Sequence, residues 1–349
     1  MQLNESLTVF IRLYFYKNHP ISYELIHYKM KKTVSLRSLI FLFLSLSFPY
    51  SGYSQTFFPV KGSGPSVEKV KNISDFNAID VSGGFDVILV QGSTESLTLT
   101  AQENLFEYIT ARVENGTLKI YTNHNIWSNR PMKARISFKD IKGLKVSGGG
   151  DIYGETPINV DALEVTVSGG GDFKSEINAE QLKCQITGGG DGEISGKISH
   201  FNVNISGGGD LKSKVSAGEI SCRMVGGGDL HLMNDAQASK GDIEINGGGD
   251  LDMKMNTERL KCSVSGGGDA LISGQASEFE LNINGGGDVD AKNLATQTTS
   301  VNVGGGSDIH VQVSKELSGY ISGGGDIYYS GNPDRISVDT RGGSKVHKE

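Results

Sequence analysis

Gly207-Gly208-Gly209-Asp210 decides the fold, because Gly226-Gly227-Gly228-Asp229 repeats it 19 residues further on. The same tetrapeptide ends at Asp151, Asp172, Asp191, Asp210, Asp229, Asp250, Asp269, Asp288 and Asp326. A slipped copy, Gly304-Gly305-Gly306-Ser307-Asp308, fills the one gap, and an earlier relative stands at Gly83-Gly84-Phe85-Asp86. The steps between successive aspartates from Asp151 onward are 21, 19, 19, 19, 21, 19, 19, 20 and 18 residues. A repeat of that length is one supersecondary unit that buries its apolar face against its neighbours.

Aligned on the aspartate, the units share apolar columns. Five residues before it stand Val146, Val167, Ile186, Ile205, Met224, Ile245, Val264, Ile283, Val303 and Ile321. Seven before it, from Leu144 through Cys184 and Cys222 to Val301, all are apolar except Gly319. Nine before it come Leu163, Leu182, Phe201, Ile220, Leu260 and Phe279. A spacing of two is the strand period, and no helical period competes with it. Seven residues after the aspartate a smaller column appears: Ala179, Ile198, Ala217, Ala236, Thr257, Ala276 and Ala295. Each unit therefore reads as two short strands around the glycine turn plus a third, narrow contact, with polar turns such as Ser195-Gly196 and Ser273-Gly274 between them.

Such units are too short for propeller blades, which need about 40 residues, and they lack the leucine-rich signature. The pattern predicts an all-β fold: a right-handed parallel β-helix, a single-stranded β-solenoid with turns of about 19 residues. Ten turns at the strand spacing give a rod roughly 50 Å long.

The first part of the chain is of another kind. Met30-Lys31-Lys32 and Arg37 precede an apolar run from Leu39 to Phe48, followed by small and polar residues from Ser51 to Gln55. Residues 30–54 read as a secretory signal peptide cut near Ser54, with 1–29 an over-extended start or leader. Residues 55–71 are an N-terminal extension, and 72–349 form one domain, with repeats over 148–326 and a C-terminal cap over 327–349. The net charge is −7, and removing the basic leader leaves about −11. That sign argues against nucleic acid and anionic membrane surfaces as partners. It permits divalent cations and neutral or basic targets. Cys184, Cys222 and Cys262 fall in the same inward column on alternate turns, about 10 Å apart. A disulfide needs Cα atoms within about 7 Å, so three buried free thiols are expected.

Several segments resemble one bacterial family, the auto-transporter adhesins with a head GIN domain. They are Phe76-Asn77-Ala78-Ile79-Asp80-Val81-Ser82-Gly83-Gly84-Phe85-Asp86-Val87, Glu114-Asn115-Gly116-Thr117-Leu118-Lys119-Ile120-Tyr121 and the recurrent Val-Ser-Gly-Gly-Gly-Asp. Gly325-Asp326-Ile327-Tyr328-Tyr329-Ser330-Gly331-Asn332-Pro333 and Arg341-Gly342-Gly343-Ser344 resemble the family's ending. Glycine triplets here replace its commoner Gly-Gly-Ser. The resemblance implies export from a Gram-negative cell and a right-handed β-helix, with adhesion as a family label. It carries over no active-site residue.

The ladder Asp86, Asp151, Asp172, Asp191, Asp210, Asp229, Asp250, Asp269, Asp288, Asp308 and Asp326 is the sharpest candidate for chemistry. Alternation puts these carboxylates outside, where neighbours about 5 Å apart repel by roughly 0.8 kcal/mol in water. The structural offset is a turn, each carboxylate accepting N–H groups from its own glycines. The alternative is calcium held between successive carboxylates from Asp172 to Asp288, although one carboxylate per turn supplies few of the six to eight oxygens it takes. No other cofactor is expected. The glycines lack the following helix that a phosphate loop requires. His124, His200, His231, His310 and His347 read as solvated. Trp127, the one tryptophan, and Arg130 lie in the irregular segment 123–132, which reads as a lid over the solenoid's first turns or an exposed binding aromatic. Tyr328 and Tyr329 similarly read as covering the other end.

The functional reading is an exported, non-enzymatic β-solenoid: an adhesin or cell-surface binding protein with a repetitive acidic face, its partner a surface glycan or protein. It has no recognisable transmembrane anchor and lies in the periplasm, on the outer-membrane surface or outside the cell. Two alternatives stand beside it. One is a polysaccharide-active enzyme using paired ladder carboxylates; the other is a purely structural envelope protein.

Overall fold

The computed structural model describes residues 59–349. The segment assigned to a leader and signal peptide lies outside them. Among the described residues there is no α-helix, only a short 3₁₀ helix at Glu103–Glu107. Most of the rest is a β-solenoid of about 11 turns with about 19 residues in each, its rungs paired in parallel.

The apolar columns stack as the spacing predicts. Val165 pairs with Cys184, then come Val203, Cys222, Ile243, Cys262, Leu281 and Val301 in unbroken register. All of these side chains are buried. Each turn covers the apolar face of the next, so the core is a continuous column rather than a central cluster. The three cysteines are free and buried, and burial pushes each thiol up to about 12.

Within a turn the prediction of two short strands fails. One strand runs from the residue after the aspartate to the first glycine of the next triplet, as in Phe173–Gly188, Gly192–Gly207 and Leu211–Gly226. Ser195-Gly196 is a bend inside a paired strand, not a separator. The bend keeps Ser195 and Gly196 paired with Lys214 and Val215 of the next turn, while toward the preceding turn the pairing lapses at Gly196 and Lys197, and the Lys197 amide donates to Oδ1 of Asn178 at 3.0 Å. Gly196 makes the bend possible with φ 123°, and a Cβ there would lie 2.1 Å from the carbonyl oxygen of Ile177.

Turns of unusual length carry their own repairs. The strand Leu230–Gly247 has 18 residues where its neighbours have 16, and register shifts on both sides of it. The side chain of Asn234, buried there, accepts from the amide of Ala217 at 2.8 Å and donates to its carbonyl at 3.1 Å, standing in for ladder bonds lost at the shift. Where Ala295 shifts to pair with Gln312, Thr296 donates to the Gln312 carbonyl and lies 2.6 Å from the hydroxyl of Thr299. These insertions also correct the small-residue column: Ala238 and Thr296, not Ala236 and Ala295, stack with Thr257 and Ala276.

At the N-terminal end, stacking order departs from chain order. Strands Ala78–Ser82 and Phe85–Gln91 form the second rung, lying between the later strands Thr117–Thr122 and Met132–Phe138 on one side and Gly143–Gly148 and Ile152–Gly154 on the other. The parallel ladder then stops at antiparallel strands. Ser96–Gln102 pairs with Met132–Phe138 and with Ser66–Lys71, and Ile109–Glu114 pairs with Thr117–Thr122. Leu97, Leu99, Ala101 and Leu105 are buried in this closure. Trp127 is not: it is 59% exposed, on a two-residue strand paired with Val60–Lys61, with the Lys61 ammonium 5.2 Å from its ring centre. The packed-lid reading of Trp127 is therefore replaced by closure through Ser96–Gln102. Ser96–Gln102 supplies aliphatic side chains at the strand period, whereas the Trp127 segment supplies only Ile126 in partial burial.

Tyr328 does not cover the other end. Its ring stacks between His310 and His347, at 4.7 and 5.1 Å, on the outer face. Tyr329 is half-buried against the core. The last rung leaves Ile336 46% exposed, although its partner Leu317 is buried.

Candidate functional site

The aspartates form one line, as alternation requires, with those from Asp151 to Asp308 exposed. Their hydrogen bonds differ from the expectation. Oδ1 of each accepts the amide of the equivalent aspartate in the next turn, not an amide of its own glycine turn. Asp191 donates to Asp172 at 2.9 Å, Asp210 to Asp191 at 2.9 Å, Asp229 to Asp210 at 2.8 Å and Asp250 to Asp229 at 2.9 Å. The series runs from Asp86, more loosely at 3.4 Å, to Asp326, whose Oδ1 accepts the amide of Lys345 at 2.7 Å. Each repulsive neighbour is thus also a donor, and the bond ties turn to turn. At the far end the Lys345 amide and the His347 ring hold the Asp326 carboxyl below its ordinary value.

The three glycines have separate reasons. The first takes left-handed φ in most turns, from 118° at Gly148 to 150° at Gly305. From Gly169 onward a Cβ on it would stand within 1.7–2.0 Å of the carbonyl of the first glycine below, as at Gly226 and Gly188. The third would meet the equivalent carbonyl just as closely, as at Gly209 and Gly228. The slipped copy is in register here. Gly305 and Gly306 take the first two places and Ser307, fully buried, takes the third; Gly304 belongs to the preceding outer column. The middle glycine, from Gly149 to Gly324, has nothing within 4 Å of its absent Cβ, and no stacking contact requires it.

The calcium candidates Asp172, Asp191, Asp210, Asp229, Asp250, Asp269 and Asp288 therefore form a line, not a cage. Among the described residues no group of three or more His, Cys, Asp or Glu side chains is placed to hold a metal ion.

The acidic line is one column wide. Flanking columns alternate in sign and pair between turns: Lys174 with Glu193 at 2.8 Å, Lys183 with Glu164 at 2.6 Å and Lys261 with Glu280 at 3.1 Å. His124 and His200 are exposed as the sequence suggests, whereas His231, His310 and His347 are partly buried. His231 lies 2.9 Å from Asp252 and His310 3.1 Å from Glu349, each reaching a carboxylate one or two rungs away. Trp127 and Arg130 stand apart from the ladder, and Arg130 contributes its carbonyl to the hydroxyl of Ser128 at 2.6 Å.

Besides an uncharged cleft of about 430 Å³ among Gln237, Gln275, Gln297 and Gln312, three shallow clefts lie along the outer columns. One of about 610 Å³ includes Asp140, Lys142, Glu164, Lys183 and His200. Another of about 440 Å³ includes Lys240, Arg259, Lys261, Glu278 and Glu316. A third of about 420 Å³ lies among asparagines and serines beside Tyr320. Sequence reasoning missed Tyr320. Its signal was two departures from column identity: Gly319 among inward aliphatics and Gly304 among outward serines and asparagines.

This chain belongs to the family described as "Putative auto-transporter adhesin, head GIN domain", which matches residues 75–239 and 223–333. Among solved structures it is similar to a "putative lipid binding protein" from Parabacteroides distasonis, at 23% identity and a TM-score of 0.39, covering 84% of this chain and 100% of that one. A "putative adhesin" from Parabacteroides merdae is 19% identical with a TM-score of 0.39, covering 83% and 98%. Another from Bacteroides fragilis is 17% identical with a TM-score of 0.30, covering 83% and 100%. At these scores the three carry no argument about function. No curated protein matches the chain. No helix among the described residues is long and apolar enough to cross a membrane.

Proposed function

We propose that this chain is an exported, non-enzymatic binding protein of the adhesin type, which presents repeated outer columns to a cell-surface glycan or protein. The observation that carries this is the register. Outer residues one turn apart stand in line over the whole stack, as Ser206, Val225, Asn246 and Ser265 do. A surface that repeats at the strand spacing offers the same weak contact many times, and linked contacts multiply in affinity. The signal-peptide pattern over 30–54 and family membership support export and a surface role.

The competing enzyme reading uses pairs of ladder carboxylates. No ladder aspartate lines any of the four clefts, and this weighs against it, because paired catalytic carboxylates need a concave site that holds the substrate.

The test is a glycan-array screen of the mature chain, with bound polysaccharides then assayed for new reducing ends. The expected result is binding that strengthens with the length of the glycan, and no release. Release of reducing ends would overturn the non-enzymatic reading.

A further inference from the structure

Two of the clefts are uncharged, the one among Gln237, Gln275, Gln297 and Gln312 and the one beside Tyr320, and only the second of these is lined by an aromatic ring. Its lining is Ser263, Ser265, Asn282, Asn284, Asn302, Gly304, Tyr320 and Ser322 with the backbone of two buried aliphatics, and holds no Asp, Glu, Lys, Arg or His. The two charged clefts are lined in part by ion-paired side chains, such as Arg259 with Glu278 at 3.4 Å. In a chain where 21% of residues are charged, an uncharged cleft is a selective surface.

Two glycines shape it. Gly304 stands in the outer column between Asn284 and Ser322. No backbone demand explains it: its φ is not left-handed, and the nearest atoms to an added Cβ are at 3.9 and 4.0 Å. Its effect is to remove one side chain from the floor. Gly319, by contrast, is required. Its φ is 145°, and a Cβ there would lie 1.9 Å from the Val301 carbonyl. A glycine of that kind lets a strand kink, and the next residue is Tyr320. Tyr320 stands one rung above Asn302, diagonal to Gly304, and is 36% exposed, with Arg341 5.5 Å from its ring centre.

The polar groups are oriented but not exhausted. Asn302 donates to Asn282 at 3.1 Å, and Asn282 donates to Glu280 at 2.8 Å. Among the described residues the Asn302 carbonyl oxygen and the Asn284 amide make no other hydrogen bond. Amides and hydroxyls donate and accept, matching ligand hydroxyls that do both. A tyrosine ring adds an apolar platform with a polar tip. The rim carries one charge of each sign, Asp339 and Arg341, so no net charge selects an ion. An extended peptide has no purchase, because Asn302 and Tyr320 lie on strands paired with rungs on both sides.

We propose that this cleft is a binding site for a neutral sugar, with Tyr320 as the stacking platform and Asn284 and Asn302 as the hydroxyl contacts. The proposal rests on the binding-protein reading above.

Its test uses the mature chain and isothermal titration with neutral tetrasaccharides of glucose, galactose, mannose and N-acetylglucosamine, and polygalacturonate as the acidic comparison. Tyr320→Ala should weaken binding of the neutral sugar about tenfold or more. Gly304→Gln, whose Cβ has room, should refill the floor and weaken binding similarly while circular dichroism stays unchanged. Gly286→Gln, on the bare strip outside the cleft, should leave binding as it is. Sugar bound equally well by Tyr320→Ala and Gly304→Gln would overturn the site and leave the binding function standing. So would a preference for polygalacturonate. No binding of any of these sugars would also overturn it, and attachment of wild-type protein to cells would then show whether the binding-protein reading survives.

Discussion

Replacing Gly226 by alanine is expected to destabilise the protein strongly, whereas the same change at Gly227 is not. The two residues are adjacent, identical and equally part of the repeat. They differ in what an added Cβ would meet. At Gly226 φ is 141°, and the Cβ would stand 1.7 Å from the carbonyl oxygen of Gly207. That backbone region is essentially confined to glycine and costs about 1–3 kcal/mol for another residue. The collision adds to this, because the two rungs must part to relieve it, and Gly226 and Gly227 both bond across that gap. At Gly227 the added Cβ would meet nothing within 4 Å. A change of that kind usually stays within about 0.5 kcal/mol, and alanine also restricts the unfolded chain. Urea unfolding followed by circular dichroism should place the Gly226→Ala midpoint well below wild type and the Gly227→Ala midpoint at or slightly above it. Equal midpoints would mean that the rungs are not in backbone contact at the triplet.

The second large effect is expected from Phe201→Ala. Phe201 is 1% exposed and stacks in register on Leu182 below and Ile220 above. Truncating a buried phenylalanine typically costs about 3–5 kcal/mol, part of it from the cavity left behind. In a one-dimensional stack that loss falls on two interfaces between rungs and cannot be shared widely. Hydrogen exchange should therefore accelerate first in Phe173–Gly188 and Leu211–Gly226, the strands on either side, before the ends of the ladder respond. Phe201→Leu, which keeps most of the volume, should lose much less. A uniform acceleration over the whole chain would argue for a single cooperative core.

How much of this was legible in the sequence follows from what a repeat encodes. Period and parity are written in every unit, so the inward columns, the exposed aspartates and the separated cysteines could be read directly. Order along the stack is not written. Ala78–Ser82 and Thr117–Thr122 carry interchangeable apolar pairs, Ile79 with Val81 and Leu118 with Ile120, and nothing local says which rung lies outermost. Continuity at the corners was also hidden, because Ser195-Gly196 has the composition of a turn whether or not it pairs with the next rung. The same holds for the aspartates. Parity places them outside, but only the register shows that the donor to each is the next aspartate. Asn234 and Thr296 looked like ordinary polar residues until changes in turn length placed them inside. The Tyr320 cleft was legible only as two misplaced glycines, a weak signal beside a repeat made of glycine.

Successive units are adjacent rungs in register, and a pair of engineered cysteines reads that register out. Ser206 and Val225 are exposed partners on neighbouring turns, and Asn246 is the next in the same column. Cα atoms one rung apart lie about 4.8 Å from each other, inside the range for a disulfide, while two rungs separate them by about 10 Å. Mass spectrometry after mild oxidation should find the Ser206→Cys/Val225→Cys variant closed and the Ser206→Cys/Asn246→Cys variant open. Failure of the first pair to close, or closure of both alike, would contradict the stack.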